Sequence, residues 1–199
     1  MNNAKALIDG DILIYKIGFS SNEPDEEKFA ISRMGNFVDR LIKVTGIDSY
    51  EGYLTGKKNY RSEIATEQTY KGNRKEARRP VHYDSLREYL ITKWDFKLQE
   101  GQEADDAMGI KAYELPEDSS CIMTIDKDLD MIRGWHYNFN KEYLYYVTEA
   151  QAIKNFYIQL LTGDRVDNIA GLKGIGPVKA KKILEKCFSE NEMFDAVCK

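Results

Sequence analysis

The sequence predicts an α/β fold: a mostly parallel sheet flanked by helices, followed by a C-terminal helix–hairpin–helix element. Three observations predict it. Short apolar runs with the look of buried strands alternate with stretches whose apolar residues recur every three or four positions. Two of the apolar runs lead into an aspartate, at Asp9 and Asp126. A glycine-punctuated segment, Gly171-Leu172-Lys173-Gly174-Ile175-Gly176, is followed by Pro177 and a lysine-studded stretch. Alternation of strands and helices is the pattern of a parallel sheet, because each parallel crossover needs a helix to return the chain.

Taken in order, Ala6-Leu7-Ile8 is a buried strand that stops at Asp9-Gly10-Asp11, before a second apolar run from Ile12 to Tyr15. Phe29, Met34, Phe37, Val38, Leu41 and Ile42 share one helical face, closed near Gly46. Tyr50 to Leu54 forms a second strand, and Thr55 to Arg79 is basic and glycine-interrupted with no clean apolar period. Asp84 to Trp94 places Leu86, Tyr89, Leu90 and Trp94 on a helical face. Glu103 to Leu115 is a further helix stopped by Pro116. Cys121 to Ile125 is a short buried strand, followed by strands at Tyr137-Asn138-Phe139 and Leu144 to Val147. Thr148-Glu149-Ala150-Gln151 is a capping box that opens a helix through Leu161. Pro177 suits the first turn of the last helix, where its missing N–H costs nothing.

A chain of 199 residues, 42% hydrophobic and 31% charged, can bury one sizeable core. No apolar run reaches the roughly 20 residues of a membrane helix, and the N-terminus carries no signal-peptide pattern, so no membrane partner is expected. Three cysteines without CxxC spacing fit a reduced, cytoplasmic setting. The two histidines cannot build a zinc site between them. The net charge of −4 argues against a nucleic-acid partner until its distribution is considered. Setting aside the clustered acids described next leaves a mildly basic remainder, and bound cations would neutralise the acidic centre.

Those acids are Asp9, the Glu103-Ala104-Asp105-Asp106 run, the Asp126-Lys127-Asp128 pair, and Asp164 with Asp167. Ligands in α/β folds bind outside the carboxyl ends of the strands, which is where Asp9 and Asp126 lie. Oxygen ligands without Cys or His suit Mg²⁺ or Mn²⁺. Two such ions would let the carboxylates share one site and would clamp a phosphodiester during displacement. Glu103 and Asp106 share a helical face but Asp105 does not, so the three converge only if Glu103 lies in the loop before the helix. Taken alone, Asp9-Gly10 is an ordinary turn, acids in a first helical turn are ordinary capping residues, and Asp130 is a helix cap. The bared backbone N–H groups of the Gly171–Gly176 segment, at a helix N-terminus, favour phosphate.

In its motifs the chain resembles the flap-endonuclease family, the phage and bacterial 5′–3′ exonucleases that also form the 5′-nuclease domain of some DNA polymerases. The matching text is LIDGD at 7–11, YKGNR at 70–74, EADDAMG at 103–109, TIDKDLDMI at 124–132 and GDRVDNIAGLKGIGPVKA at 163–180. The resemblance implies a PIN-like α/β nuclease core over residues 1–150. It implies a helix–three-turn–helix DNA-binding region over 151–199, packed on that core as a single structural unit. It implies two-metal hydrolysis of DNA to 5′-phosphate products, with Asp9, Glu103, Asp105, Asp106, Asp126, Asp128, Asp164 and Asp167 as metal ligands, direct or through water. Lys71 and Arg74 match the family's cationic pair at the scissile phosphate, where they stabilise developing charge. Tyr70 matches an aromatic on which a terminal base stacks. Gly171, Gly174, Gly176, Lys173, Lys179 and Lys182 are the expected duplex contacts, with a potassium ion held by carbonyls of the Gly171–Gly176 turn.

Two departures stand out. Where family members carry another metal-binding aspartate after the second strand, this chain has Thr55, with no acid as far as Arg61. The short run between YKGNR and EADD implies a short or open arch. The expected activity is that of a 5′ nuclease on DNA with 5′ ends, flaps or single-strand/duplex junctions. Two other readings stay open: a structure-specific DNA-binding replication accessory protein with little catalysis, and a nuclease preferring the RNA of RNA–DNA hybrids.

Overall fold

The computed structural model describes residues 4–21, 26–47, 49–74 and 78–198, with the side chain of Arg74 outside that set. A six-stranded sheet runs in the order β3-β2-β1-β4-β5-β6, from β1 (Lys5–Asp9), β2 (Ser49–Asn59), β3 (Lys97–Gly101), β4 (Ser120–Thr124), β5 (Gly134–Asn138) and β6 (Tyr143–Val147). The five strands from β3 to β5 pair in parallel. This is the mostly parallel α/β architecture expected from the alternation of apolar runs.

The central position of β1 follows from its composition. Ala6, Leu7, Ile8 and Asp9 are all buried, as a strand covered on both faces requires. Register sets Asp9 opposite Tyr53 of β2 and Ile8 opposite Met123 of β4, so the carboxyl ends of these strands lie side by side. The Asp9-Gly10 pair is not a simple turn. Asp9 is the N-cap of α1 (Gly10–Ser20), its Oδ1 accepting the Ile12 N–H at 3.1 Å. The apolar run after it is therefore helical and buries Leu13, Ile14 and Ile17.

Helix α2 (Glu27–Val44) buries Ala30, Met34, Val38 and Leu41, while Phe29 of the expected face is exposed. Helix α4 (Tyr83–Trp94) buries Leu86 and Leu90, and α5 (Ala104–Glu114) buries Ala104, Ala107 and Met108. The side chains of α2 and α4 join those of β1, β2 and β4 in the main core, while those of α5 are buried outside it. Each fully buried Leu, Ile or Met contributes about 1.5–3 kcal/mol. Strand β2 continues to Asn59, beyond the expected end at Leu54, and β3 had no counterpart among the expected strands. The end of β2 and the edge strand β3 are polar and half-buried to exposed, so they carry no apolar alternation to betray them.

The chain forms two compact units. The first comprises 1–60, 78–129 and 134–146; the second comprises 61–77, 130–133 and 147–199. The second holds α3 (Arg61–Ile64), α6 (Glu149–Thr162), a two-stranded antiparallel ribbon of β7 (Gly163–Asp164) and β8 (Ile169–Ala170), α7 (Pro177–Leu184) and α8 (Glu190–Cys198). Thr148 and Gln151 cap α6 reciprocally, as the sequence implies. Tyr157, Leu161, Ala180, Leu184 and Met193 form this unit's own small core, with Ile175 packed against it. Gly163 and Gly171 pass so closely that a Cβ on Gly171 would lie 2.1 Å from the Thr162 carbonyl carbon, so only glycine fits there. Asp130 lies inside a 3₁₀ turn over Lys127–Met131 instead of opening an α-helix, and its carbonyl accepts from Asn155 Nδ2 at 2.9 Å.

Candidate active site

Within the first unit, the acids at the strand ends are joined by one hydrogen-bonded chain. The Asp128 N–H donates to Asp126 Oδ1 at 2.9 Å. The Asp126 N–H donates to Thr124 Oγ1 at 3.0 Å, and that hydroxyl donates to Asp9 Oδ2 at 2.8 Å. Thr124 is buried, at the last position of β4. Burial pushes the Asp9 carboxyl up to about 7, against the lowering effect of the Ile12 N–H and the Thr124 hydroxyl, with the Asp11 and Asp126 charges adding to the rise. A carboxyl so placed ionises readily only beside a counter-charge.

The second cluster of this unit surrounds the start of α5. Glu103 is the extended N-cap residue, placed before the first helical turn, as convergence of the EADD acids requires. Its Oε1 accepts from Asn59 Nδ2 at 2.6 Å. Asp106 Oδ2 accepts the Glu103 N–H at 3.1 Å, and Asp105 Oδ1 accepts the Asp106 N–H at 2.7 Å. Asp106 therefore caps the helix, which is the ordinary role of an acid in that position.

Thr55, standing where an acid was expected, is a junction. Its N–H donates to Asp11 Oδ2 at 3.0 Å, and its Oγ1 accepts the Ala104 N–H at 3.0 Å. Its carbonyl accepts from Arg87 Nη2, and Arg87 Nη1 also lies 3.9 Å from Asp11 Oδ1. Burial raises the Asp11 carboxyl, the hydrogen bonds from Thr55 and the Arg87 charge lower it, and the Glu103 charge raises it again. Asp11, Asn59, Arg87 and Thr124 were not among the expected site residues. The signal for two of them was present: Asp11 lies two positions after Asp9, and Thr124 two before Asp126. Arg87 and Asn59 become visible only through tertiary contacts.

The remaining expected residues belong to the second unit. Asp164 Oδ1 accepts the Val166 N–H at 2.7 Å and the Asp167 N–H at 3.3 Å, shaping the turn. Asp167 Oδ2 accepts the Tyr70 hydroxyl at 2.7 Å, and Lys71 Nζ lies 3.8 Å from Asp167 Oδ1. Arg74 closes a 3₁₀ turn over Gly72–Arg74, and its side chain lies outside the described residues. Gly176 is the N-cap of α7, with Pro177 in its first turn. Gly174 adopts a left-handed φ of 80°. Lys173, Lys179 and Lys182 are exposed, and Lys179 Nζ donates to the Gly174 carbonyl at 2.8 Å.

The donor chemistry fits a hard divalent cation: carboxylate oxygens, with Asp9 buried and reluctant to ionise alone. Among the described residues, no group of three His, Cys, Asp or Glu side chains is arranged to hold a metal ion. Several of these carboxylates are instead turned onto neighbouring backbone N–H groups. No helix among the described residues is long and apolar enough to cross a membrane.

No protein-family model matches the chain. Among curated proteins it is 26% identical over 223 residues to a 5′–3′ exonuclease of Bacillus subtilis, across 93% of this chain and 71% of that protein. It is 25% identical over 214 residues to a DNA polymerase I of Caldicellulosiruptor bescii, across 94% of this chain but only 25% of the polymerase. The chain thus spans a quarter of that relative's length. Among solved structures, the bacteriophage T5 D15 protein co-crystallised with metal ions superimposes with a TM-score of 0.73 at 22% identity, covering 96% of this chain and 78% of that one. The T5 D15 flap endonuclease in complex with DNA and metal ions gives 0.71 at 21%, covering 98% and 87%. The catalytic core of Rad2 with DNA substrate gives 0.54 at 17%, covering 92% and 61%. The chain has the fold of these nucleases, and in both sequence and structure it resembles the flap-endonuclease and 5′–3′ exonuclease family.

Proposed function

We propose that the chain is a divalent-metal-dependent 5′ nuclease that hydrolyses DNA phosphodiesters at 5′ ends, flaps or single-strand/duplex junctions, leaving 5′-phosphates, in a cytoplasmic setting. The observation that carries the proposal is the Asp128–Asp126–Thr124–Asp9 hydrogen-bonded chain at the carboxyl ends of adjacent parallel strands. Capping α1 occupies only one oxygen of Asp9. Here a buried aspartate is held by a threonine hydroxyl with further acids as its neighbours.

Asp9, Asp126 and Asp128 would hold one Mg²⁺ or Mn²⁺, with Glu103, Asp105 and Asp106 beside them and Asp164 and Asp167 serving a second. Bound there, the cations neutralise the acids and supply Lewis acidity toward water and the phosphoryl oxygens. The chain's own groups do the rest. Lys71 and Arg74 offset charge on the phosphoryl oxygens, and Tyr70 offers a face for the terminal base. Lys173, Lys179 and Lys182 take the duplex backbone without reading sequence. A potassium ion at the Gly171–Gly176 turn would compete with the Lys179 ammonium for the Gly174 carbonyl.

The test is a labelled 5′-flap duplex incubated with Mg²⁺ or Mn²⁺. Wild type is expected to cut near the junction, and Asp126→Ala to be at least about a hundredfold slower, the scale of losing one transition-state stabilising group. Equal rates for the two proteins would overturn the enzymatic reading. An RNA–DNA hybrid in the same assay reports the substrate preference.

A further inference from the structure

The acids and lysines leave one feature of the second unit unused. Two segments nearly a hundred positions apart in the chain, 69–73 and 164–168, are laced together. The Lys71 N–H donates to the Asp167 carbonyl at 2.9 Å. Tyr70 donates its hydroxyl to Asp167 Oδ2 at 2.7 Å. Asn73 Nδ2 donates to the Arg165 carbonyl at 2.7 Å, and Asn168 Nδ2 donates to the Thr69 carbonyl at 3.0 Å. The bonds run in both directions, so each segment anchors the other at several points.

The lacing holds a backbone that would not hold itself. Lys71 and Asn168 both adopt left-handed φ, at 52° and 61°. For a residue with a Cβ that conformation costs about 1–2 kcal/mol and persists only where surroundings over-determine it. Asparagine tolerates it best, and Asn168 adds a side-chain bond to Thr69. The consequence is a fixed pair of recognition groups. The Lys71 ammonium sits 5.0 Å from the centre of the Tyr70 ring and 3.8 Å from Asp167 Oδ1. Both side chains are only partly buried, so one edge of the pair faces solvent.

We infer that Asn73 and Asn168 are positioning residues that, with Asp167, clasp the 69–73 segment and present Tyr70 and Lys71 to the 5′-terminal nucleotide of a DNA strand. This rests on the proposed roles of Tyr70 and Lys71. A stacking platform binds well only if its ring is held before the base arrives, because freezing a loop on binding subtracts from affinity. The clasp supplies that order from side chains that never touch the nucleotide.

The experiment uses the full chain in EDTA, so that nothing is cut. One DNA is a duplex with a short single-stranded 5′ end whose terminal base is a fluorescent analogue quenched by stacking; the other is a blunt duplex. Wild type, Tyr70→Ala, Asn73→Ala and Asn168→Gly are compared, the last because glycine keeps the left-handed backbone while losing the amide. Thermal melts report folding, and the exposed Asn73 provides a variant whose truncation leaves the core intact.

Tyr70→Ala is expected to abolish quenching. Asn73→Ala and Asn168→Gly are each expected to reduce it, and to lower the preference for the 5′-ended over the blunt duplex by about threefold to tenfold, the loss of one hydrogen bond's worth of order. A purely structural role would weaken both DNAs alike, and that outcome overturns the inference. So does wild-type quenching in both asparagine variants while Tyr70→Ala loses it, which sinks the clasp but spares the stacking role. Full quenching in Tyr70→Ala sinks the stacking role and the clasp together.

Discussion

Asp9 shows how a single residue can be costly to the fold and central to the proposed site. Its carboxyl is buried, and desolvation with the neighbouring Asp11 and Asp126 charges lifts it to about 7. For an acid whose folded value lies above its ordinary value of 3.8, ionisation destabilises the fold. The loss begins as pH rises past the ordinary value and is complete once pH exceeds the folded one. Asp9→Asn keeps the shape, accepts the Ile12 N–H, and can turn its amide toward Thr124. In EDTA at pH 8 it is expected to melt higher than wild type, and near pH 4, where both side chains are neutral, the gap is expected to close. Added Mn²⁺ should raise the wild-type melting temperature and move the variant less, because a ligand stabilises only the state that binds it. A lower melting temperature for Asp9→Asn at pH 8 would show that Asp9 is satisfied without a cation. Residue-level legibility in the sequence followed the same physics. Asp9 and Asp126 were legible because each follows an apolar run. Glu103, read as the first residue of a helix through Leu115, stands one position ahead of that helix as its N-cap. Arg87 and Asn59 were not legible, since their significance comes from Thr55 and Glu103, partners distant in the chain.

At the scale of elements, helices and buried strands were legible from apolar periodicity and caps, while polar edge structure was not. Strand β3 and the end of β2 have no alternating pattern; they pair through the backbone, and charge adds to that pairing at the start of β3. Glu51 of β2 takes Lys5 of β1 through Oε1 at 2.5 Å, and Lys97 of β3 with Tyr53 through Oε2 at 2.5 and 2.8 Å. One carboxylate thus bridges three parallel strands. Desolvation pushes Glu51 up, but the hydrogen bonds from Lys5, Lys97 and Tyr53 outweigh it and hold the group down to about 2. A depressed acid stabilises the fold above its ordinary value of 4.5, and that stability is lost as pH falls toward the folded value. Glu51→Gln is expected to cost about 1.5–3 kcal/mol at pH 7, the range for hydrogen bonds to a charged group. Urea titrations repeated downward from pH 5 should show the difference shrinking toward zero near pH 2. A difference independent of pH would mean that packing of the side chain, and not its charge, joins the strands.

At the scale of the whole molecule, a net charge of −4 would repel a polyanion, so the proposed DNA binding depends on where the charges lie. The acids of the first unit cluster at strand ends, where divalent cations would offset them. Lys173, Lys179 and Lys182 are exposed along α7 and the glycine turn before it. Each phosphate neutralised by such a lysine releases condensed counterions, giving a slope of log affinity against log salt of about −0.9 per contact. Lys173→Gln and Lys182→Gln are therefore each expected to make the slope shallower by about one, and to weaken unrelated duplex sequences equally, because backbone contacts carry no sequence information. Lys179 is the instructive exception. Its ammonium already serves the Gly174 carbonyl, so Lys179→Gln should also loosen the turn and raise the thermal sensitivity of binding. Filter-binding titrations from low to moderate salt, in Ca²⁺ and again in EDTA, separate the contributions. If the slopes of all three variants match wild type in both conditions, the duplex does not lie along this helix. If they change only when Ca²⁺ is present, the lysines reach the phosphates only after the acids have been neutralised.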